Sequence, residues 1–414
     1  MVKFNLTYGH NISLEQRVVF EVAARILGQF ITDTTTVDIH ILGASGLNEG
    51  KAVGGAVPLF HTVHYGVLKQ YIEQDSSSYI DAQSVLHMQN GNTVDLSAYG
   101  EVIDGNTEIL LTRAQAEALG MNKPLILENG SVLDRYVIDS AGLDGYIVVN
   151  QDFKWNNDVL RTSEAAEGTL DSLSMALHEM THVMGFVSGI DGTIDIKTLL
   201  SEKLSVSGTT LFDLRRFTAT SATIKNPDGS VSSITAGEAA YLSADGGKTS
   251  LGNLSTGQNT AIGGDGYQAS HWQRMQVAMG IMDPTLAYKE RLSLAQRDLQ
   301  ALDLLGWDVN YALLSTDLNM EALLLDAEQA VAKSLGLDSS VLSQHRSAGN
   351  VYTMGFSEWW QVFEKQIVEM GFSEWWQVLE AGYDTWEKHQ KNPGEMLQMG
   401  FSEWWQAFEV TVLQ

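Results

Sequence analysis

The sequence contains no cysteine, and this absence excludes several kinds of chemistry at once. Disulfides, thiolate metal sites and cysteine nucleophiles are all ruled out. Exported bacterial proteins often lack cysteine, so we expect an extracellular or cell-surface location. The cytoplasm is the alternative, because residues 1–16 show neither the charged nor the apolar region of a signal peptide.

Basic residues are scarce, with 25 Lys and Arg against 51 Asp and Glu, which gives a net charge of −26. Such a chain repels nucleic acid and anionic lipid, so neither is expected as a partner. Long apolar runs are also missing, so no membrane span is expected. What is present is a globular composition, 44% apolar and 18% charged over 414 residues, which predicts one large domain and an appendage.

Periodicity and capping signals predict a mixed α/β chain. Strands are expected at 2–8, 37–42 and 145–150, and helices at 14–30, 170–184, 293–306 and 316–335. Capping boxes are predicted at Ser13 with Gln16 and at Ser293 with Gln296, and a hairpin is predicted around 225–229.

The helix at 170–184 carries the motif His178-Glu179-Met-Thr-His182. Histidines four residues apart lie on one helical face, where both imidazoles can reach one metal ion, and zinc is the metal we expect. Glu179 is beside the first histidine, where it can act as general base on a water molecule. The alternative is an ordinary helix whose histidines only border the core.

Catalytic zinc requires a third protein ligand, and the compact arrangement with a histidine six residues after the second is absent, because that residue is Ser188. Three histidines follow in the chain: His271, His345 and His389. The last two border or lie in a repetitive tail, so His271 is the favoured ligand. The carboxylates of Asp191, Asp195 and Asp213 remain alternatives.

These motifs together resemble the leishmanolysin-like branch of the metzincin zinc endopeptidases. The resemblance rests on HEMTHVMGF at 178–186, SHW at 270–272 and a Met-Asp-Pro turn at 282–284. It is closest to bacterial exported members, in which the helix is followed by F-x-S-G-x-D and a closing D-L-x-A-L-D-x-x-G-W. Here those motifs occupy 186–191 and 298–307.

The resemblance implies a two-lobed metzincin-like α/β domain over residues 1–312, with an insertion at about 189–265. It implies that His178, His182 and His271 hold zinc, that Glu179 is the general base and that Met282 lies in the turn beneath the metal. It further implies that the strand at 145–150, with Tyr146 and Val148, is the edge strand that pairs with an extended polypeptide substrate.

Other candidate ligands have weaker support. His61 and His64 are three residues apart and are more often ordinary residues than ligands. Calcium could be held by Asp191 with Asp195, or by Asp245 with Asp265, although neither pair has the dense oxygen spacing of a calcium loop.

The C-terminal part differs in kind. A helical connector is expected at 313–350, followed at 351–414 by an all-α, Trp-rich tail. The octapeptide MGFSEWWQ occurs three times, beginning at Met354, Met370 and Met399, at unequal spacings that argue against a solenoid. The tryptophan pairs are Trp359 and Trp360, Trp375 and Trp376, and Trp404 and Trp405.

Each repeat predicts a short helix that begins at its serine and carries an apolar stripe. The stripes could form a small bundle of their own, but three identical copies favour docking to a partner or self-association. The sequence therefore predicts a zinc endopeptidase with an interaction tail. The alternative is a structural, self-assembling subunit built on a latent or inactive metzincin-like domain.

Overall fold

The computed structural model describes residues 1–9, 11–47, 52–126, 130–134, 137–138, 142–161, 164–192 and 208–347. In this part the chain is mixed α/β, with eight α-helices and several small sheets. The helices are α1 (Leu14–Phe30), α2 (Tyr65–Asp75), α3 (Tyr79–His87), α4 (Arg113–Ala118), α5 (Ser172–Val183), α6 (Gln296–Leu304), α7 (Met320–Ser334) and α8 (Val341–Ser347). The strands are β1 (Lys3–Tyr8), β2 (Thr36–Ala44), β3 (Gly54–Pro58), β4 (Phe60–His64), β5 (Val94–Ala98), β6 (Glu101–Asn106), β7 (Glu108–Thr112), β8 (Leu125–Ile126), β9 (Val132–Leu133), β10 (Gly145–Asn150), β11 (Trp155–Asn156), β12 (Leu170–Asp171), β13 (Arg216–Thr218), β14 (Ser232–Ser233), β15 (Ala240–Leu242) and β16 (Gly252–Leu254).

The largest sheet has the strand order β1-β2-β10-β3. The first three strands are parallel, and β3 runs antiparallel to β10. Because β10 is paired on both sides, the expectation that Tyr146 and Val148 form an edge strand is wrong. The edge strand on this side of the sheet is β3. It pairs with β10, which lies almost ninety residues later in the chain, and among the described residues no strand pairs with its other side.

Helix α1 has the predicted bounds and the predicted capping box. The Gln16 backbone N–H donates to the Ser13 hydroxyl at 3.2 Å, and the Ser13 N–H donates to the Gln16 side chain at 3.1 Å. One face of α1 is buried against β1 and α5, including Val18, Val22 and Leu27. Each such side chain stabilises the fold by about 1.5–3 kcal/mol relative to exposure.

Helix α5, which carries the two motif histidines, starts two residues later than predicted. Residues Leu170–Asp171 pair with β11 instead, and the Asp171 carboxylate caps the helix by accepting from the Ser174 backbone N–H at 3.0 Å. Helix α5 packs against α1, β3 and β10 and ends at Val183. The sheet and α1 therefore hold it from two sides.

Two other local predictions are wrong. No hairpin forms around 225–229, because β13 before the turn pairs with β15 and β14 after it pairs with β5. Helix α6 does not begin at Ser293, whose hydroxyl accepts instead from Arg161 at 3.1 Å. It begins at Gln296, where the Asp298 carboxylate accepts from the Ala295 N–H at 2.7 Å.

The chain divides into two compact units, Met1–Ala327 and Glu328–Gln414. Helix α7 begins at Met320 rather than Thr316 and ends near Gly336, whose φ is +76°. In the second unit the Glu328 carboxylate, which is fully buried, accepts from Arg346 at 2.8 Å. The tail at 351–414, with its six paired tryptophans and His389, lies outside the described residues, so the expectations for it stay predictions.

None of the helices in the described part of the chain combines the length and the apolar character needed to cross a bilayer.

Candidate metal centre

Three histidines meet at one point in the first unit. His178 and His182 come from successive turns of α5, and His271 comes from a loop 89 residues beyond His182 in the chain. The His178 Nε2 atom lies 3.2 Å from the His271 Nε2 atom and 3.1 Å from the His182 Nε2 atom. His182 and His271 are buried, and His178 is partly exposed. The structure therefore brings together the three residues that the sequence favoured as ligands.

The second nitrogen of each ring is held by a backbone carbonyl. The Nδ1 atoms of His178, His182 and His271 lie 2.8 Å from the Ile281 carbonyl, 2.7 Å from the Phe186 carbonyl and 3.1 Å from the Gln268 carbonyl. A carbonyl can only accept, so each Nδ1 carries the hydrogen and each neutral ring presents a lone pair at Nε2. The three ligand atoms lie within 4.8 Å of one another, close enough to share one metal ion.

Burial keeps these rings neutral. It lowers the pKa of His178 and lowers that of His271 to about 3. The pKa of His182 falls well below its usual value, first through burial and then through the neighbouring His178 and His271. Neutral imidazole is the form that coordinates a metal ion, so the donor set fits a metal that prefers nitrogen ligands.

Backbone geometry at Gly185 turns the Phe186 carbonyl back toward His182. Gly185 lies two residues beyond the end of α5 and has a φ of +111°, a region that favours glycine. A Cβ there would lie 2.0 Å from the Gln115 side chain. This glycine thus helps to orient the ring of His182, a candidate ligand.

The buried carboxylate of Asp298 joins two of the ligand-supporting segments. It accepts from Trp272 Nε1 at 2.7 Å and from the Ile281 backbone N–H at 2.9 Å. Trp272 directly follows His271, and the carbonyl of Ile281 contacts His178 Nδ1. The backbone N–H of Trp272 also donates to the Met282 carbonyl at 3.0 Å. Burial raises the pKa of Asp298 to about 6, and these donors oppose the rise, so the group is ionised at neutral pH. The sequence showed the motif at 298–307 that begins with Asp298, but it did not indicate that this carboxylate supports the histidine cluster.

Met282, the predicted turn residue, is fully buried in the turn that begins at Gly280. A Cβ on Gly280 would lie 2.2 Å from the Asp298 carboxylate, so the close approach requires glycine. The turn is therefore attached directly to the carboxylate that also holds Trp272.

The carboxylates considered as alternative ligands have other partners. Asp191 accepts from the backbone N–H groups of Gln258 at 2.7 Å and Ala269 at 2.6 Å, and so holds the loop that carries His271. Asp213 accepts from the Ser188 hydroxyl at 2.6 Å and is fully buried. Neither belongs to the histidine cluster, and Asp195 lies outside the described residues.

The remaining candidate ligands are not members of this cluster. His61 and His64 are on β4, and His345 is on α8. Asp245 accepts from the Ser243 hydroxyl at 2.8 Å, and Asp265 from the Tyr267 N–H at 3.2 Å. Of the residues that the structure describes, only the three histidines form a group of three or more potential ligands.

Glu179 lies next to the cluster and beneath β3. A Cβ built on Gly54 would be 3.2 Å from Glu179 Oε1, which shows how closely the edge strand passes over this carboxylate. Burial raises the pKa of Glu179 to about 8, against a backbone hydrogen bond from Ala56. The site thus contains a carboxylate of high proton affinity, one residue after His178 and close to strand β3.

Comparisons with known proteins add no relative. No protein-family model, no curated protein and no solved structure matches this chain. The function must therefore be argued from the site itself.

Proposed function

We propose that this protein is a zinc-dependent endopeptidase of metzincin-like architecture that acts outside the cell or at its surface. The observation that carries the proposal is the cluster of three neutral Nε2 atoms near a buried glutamate and a sheet edge that is unpaired in the described part of the chain. A metal with three protein ligands and an open position is the arrangement of catalytic zinc.

His178, His182 and His271 would hold the zinc ion. Ligand nitrogens at Zn–N distances of about 2.0–2.1 Å in a tetrahedron lie roughly 3.3 Å apart. The Nε2 separations of 3.1 and 3.2 Å are close to this value. When bound, zinc supplies Lewis acidity, which polarises a peptide carbonyl and makes water more acidic.

Glu179 is the proton carrier of the proposed reaction. A pKa of about 8 matches its proton affinity to that of a general base working near neutral pH. Its carboxylate accepts the proton of the attacking water and delivers it to the amine of the leaving peptide. Burial protects this transfer from bulk water.

Strand β3 replaces β10 as the proposed substrate-binding edge. It passes over Glu179 and pairs on one side only among the described residues, so an extended polypeptide can add to its other side through backbone hydrogen bonds. This mode of binding favours unfolded or extended substrates, because a folded chain does not offer a free strand.

The test compares Glu179→Gln with Glu117→Gln. Both glutamates are buried and both have a raised pKa. Glu117 lies on α4, away from the histidines, and its carboxylate accepts a hydrogen bond from the Thr35 hydroxyl at 2.9 Å. Metal content and casein hydrolysis are measured for wild type and both variants. We expect one zinc in all three proteins, with kcat/KM lowered about 10²–10⁴-fold by Glu179→Gln and unchanged by Glu117→Gln.

Wild-type activity in Glu179→Gln, or a wild-type protein that binds no zinc, would refute the proposed mechanism. A zinc-containing wild type that cleaves no polypeptide would instead favour the structural-subunit alternative.

We also propose that the tail mediates self-association. The proposal is supported by the three identical octapeptides, since one small helical bundle does not need three copies of one apolar stripe. Burying two aromatic side chains per repeat contributes on the order of several kcal/mol before the cost of ordering.

Light scattering of the full chain beside a chain that ends at Ser347 tests this role. We expect oligomers that strengthen with salt for the full chain, because salt screens the net charge of −26. The shortened chain should be monomeric and still proteolytic. Monomers in both cases contradict self-association and leave docking to another protein.

A further inference from the structure

An open groove with a largely apolar lining lies beside β16. Its walls are residues 250–253 and 275–279, and Arg297 borders it. Along the second wall Val277 is 81% exposed and Met275 is 48% exposed. Neighbouring apolar side chains that remain this exposed typically mark a surface that binds another molecule.

The two walls are attached to the segment that follows His271. The Gln273 backbone N–H donates to the Asn253 carbonyl at 2.8 Å, which ties the first wall to the start of the second. A Cβ on Gly252 would lie 2.9 Å from the ring of Trp272, so glycine lets this wall lie directly on the buried ring. The groove is therefore anchored to the core of the first unit.

The side chains along the groove define what it can bind. Met275 and Met279 carry thioethers, which make favourable contacts with aromatic rings. Arg297 is half-buried and forms no hydrogen bond or ion pair within the described part of the chain, and the described residues that line the groove include no acid. A guanidinium stacks on aromatic rings and pairs with carboxylates. The groove therefore suits an aromatic segment that carries an acidic residue.

The repeats of the tail have this composition. Each MGFSEWWQ copy places a phenylalanine, a glutamate and two tryptophans within five consecutive residues and contains no basic residue. The glutamates are Glu358, Glu374 and Glu403. The chemistry and the charge of the repeat are thus complementary to those of the groove.

We propose that this groove binds an MGFSEWWQ repeat from the tail of a second copy of the chain. The inference rests on the proposed role of the tail in self-association, and it adds the surface that the tail contacts. The groove and the repeat are different surfaces, so the contact is heterologous. Each copy offers this groove once and the repeat three times, so the assembly can extend beyond a dimer.

Val277→Asp tests the groove in the full-length chain. Val277 is largely exposed, so a charge there should leave the fold intact while it opposes burial beneath a repeat. Sedimentation equilibrium should show self-association weakened about 10–100-fold. The matched control is Leu86→Asp, which adds the same charge at a side chain that is 71% exposed on α3, outside the groove. It should associate like the wild type.

Arg297→Glu tests the complementary charge. The change places a carboxylate opposite the glutamate of a docked repeat and should weaken self-association about 10-fold. Lys154→Glu makes the same change in net charge at an exposed residue outside the groove and should have little effect. Equal weakening by the two variants would assign the effect to net charge and overturn the proposed pairing.

Mixing two full-length variants identifies the occupant. One variant carries Val277→Asp and an intact tail, and the other carries an intact groove and Trp→Ser at the six paired tryptophans of the tail. Neither should self-associate alone. A mixture should form complexes of one intact tail with up to three intact grooves, because the tail has three repeats.

The possible results separate this inference from the proposed role of the tail. Wild-type self-association of Val277→Asp would overturn the inference, because the tails would then bind each other or another surface, while their role in assembly would stand. Self-association of the Trp→Ser chain would contradict both. A mixture that forms no complex, or a wild-type chain that stays monomeric, also overturns binding to a second copy.

Discussion

Trp272→Phe tests whether the Asp298 carboxylate positions a metal ligand. Trp272 is fully buried directly after His271, and its Nε1 atom donates to Asp298 at 2.7 Å. Phenylalanine keeps an aromatic ring against Phe186, whose centroid lies 5.1 Å away, but it removes the donor. The change therefore loosens the link between the His271 segment and the turn at Met282 without removing a ligand.

The loss of stability follows from two terms. A hydrogen bond to a charged acceptor contributes about 1.5–3 kcal/mol, and the smaller ring leaves space that costs roughly 1 kcal/mol. We expect Trp272→Phe to lower the free energy of unfolding by about 3 kcal/mol in the metal-free protein. The zinc affinity should fall about 10–100-fold, as is typical when a group that orients a ligand is lost.

Trp307→Phe is the matched control. Trp307 is also buried, and its Nε1 atom donates to a neutral acceptor, the Met184 carbonyl, at 2.8 Å. Its loss should cost about 2 kcal/mol with little change in zinc affinity. Urea unfolding in chelator gives the stabilities, and competitive titration gives the zinc affinities. Equal zinc affinities for the two variants would refute the positioning role of the Trp272–Asp298 bond.

Three further outcomes are expected. His271→Ala should weaken zinc binding at least as much as Trp272→Phe, whereas His345→Ala and His389→Ala should not; equal binding by all three variants in competitive titration contradicts the ligand set. Zinc at 100 times its Kd should stabilise the metal-free chain by about 2.7 kcal/mol, and an unchanged Tm would show that no site is formed. Burial and then the nearby Asp308 raise the pKa of Asp75 to about 8, so the native state binds this proton more tightly and loses stability as pH rises from about 4 to 8. Asp75→Asn should therefore gain Tm over wild type at pH above about 8 and much less at pH of about 5; an equal gain at both contradicts the assignment.

The sequence alone determined the parts of the structure that depend on near neighbours. The capping box at Ser13, the strand at 145–150 and the pairing of His178 with His182 on one helical face each follow from hydrogen bonds or spacing within a few residues. These features are predictable because a helix or strand repeats its geometry over a few residues, independently of the rest of the chain.

The predicted capping box at Ser293 does not form, because a residue far away in the chain binds the serine hydroxyl. Ser293 has the right spacing to start a helix, but its hydroxyl accepts from Arg161, more than a hundred residues earlier in the chain. The predicted hairpin at 225–229 is absent for a similar reason, since the strands before and after the turn pair with other strands, β15 and β5. A short sequence pattern cannot indicate which of two partners will be nearer in the folded chain.

Only the tertiary structure decided which residues complete the site. It brought His271, and not Asp191 or Asp213, to the pair of helix histidines, and it left β3 rather than β10 at the sheet edge among the described residues. It also joined the His271 segment, through Asp298, to the segment whose Ile281 carbonyl holds His178. Each of these depends on contacts between segments far apart in sequence. Such contacts are set by how the whole chain buries its apolar surface and satisfies its polar groups, and no local repeat encodes that arrangement.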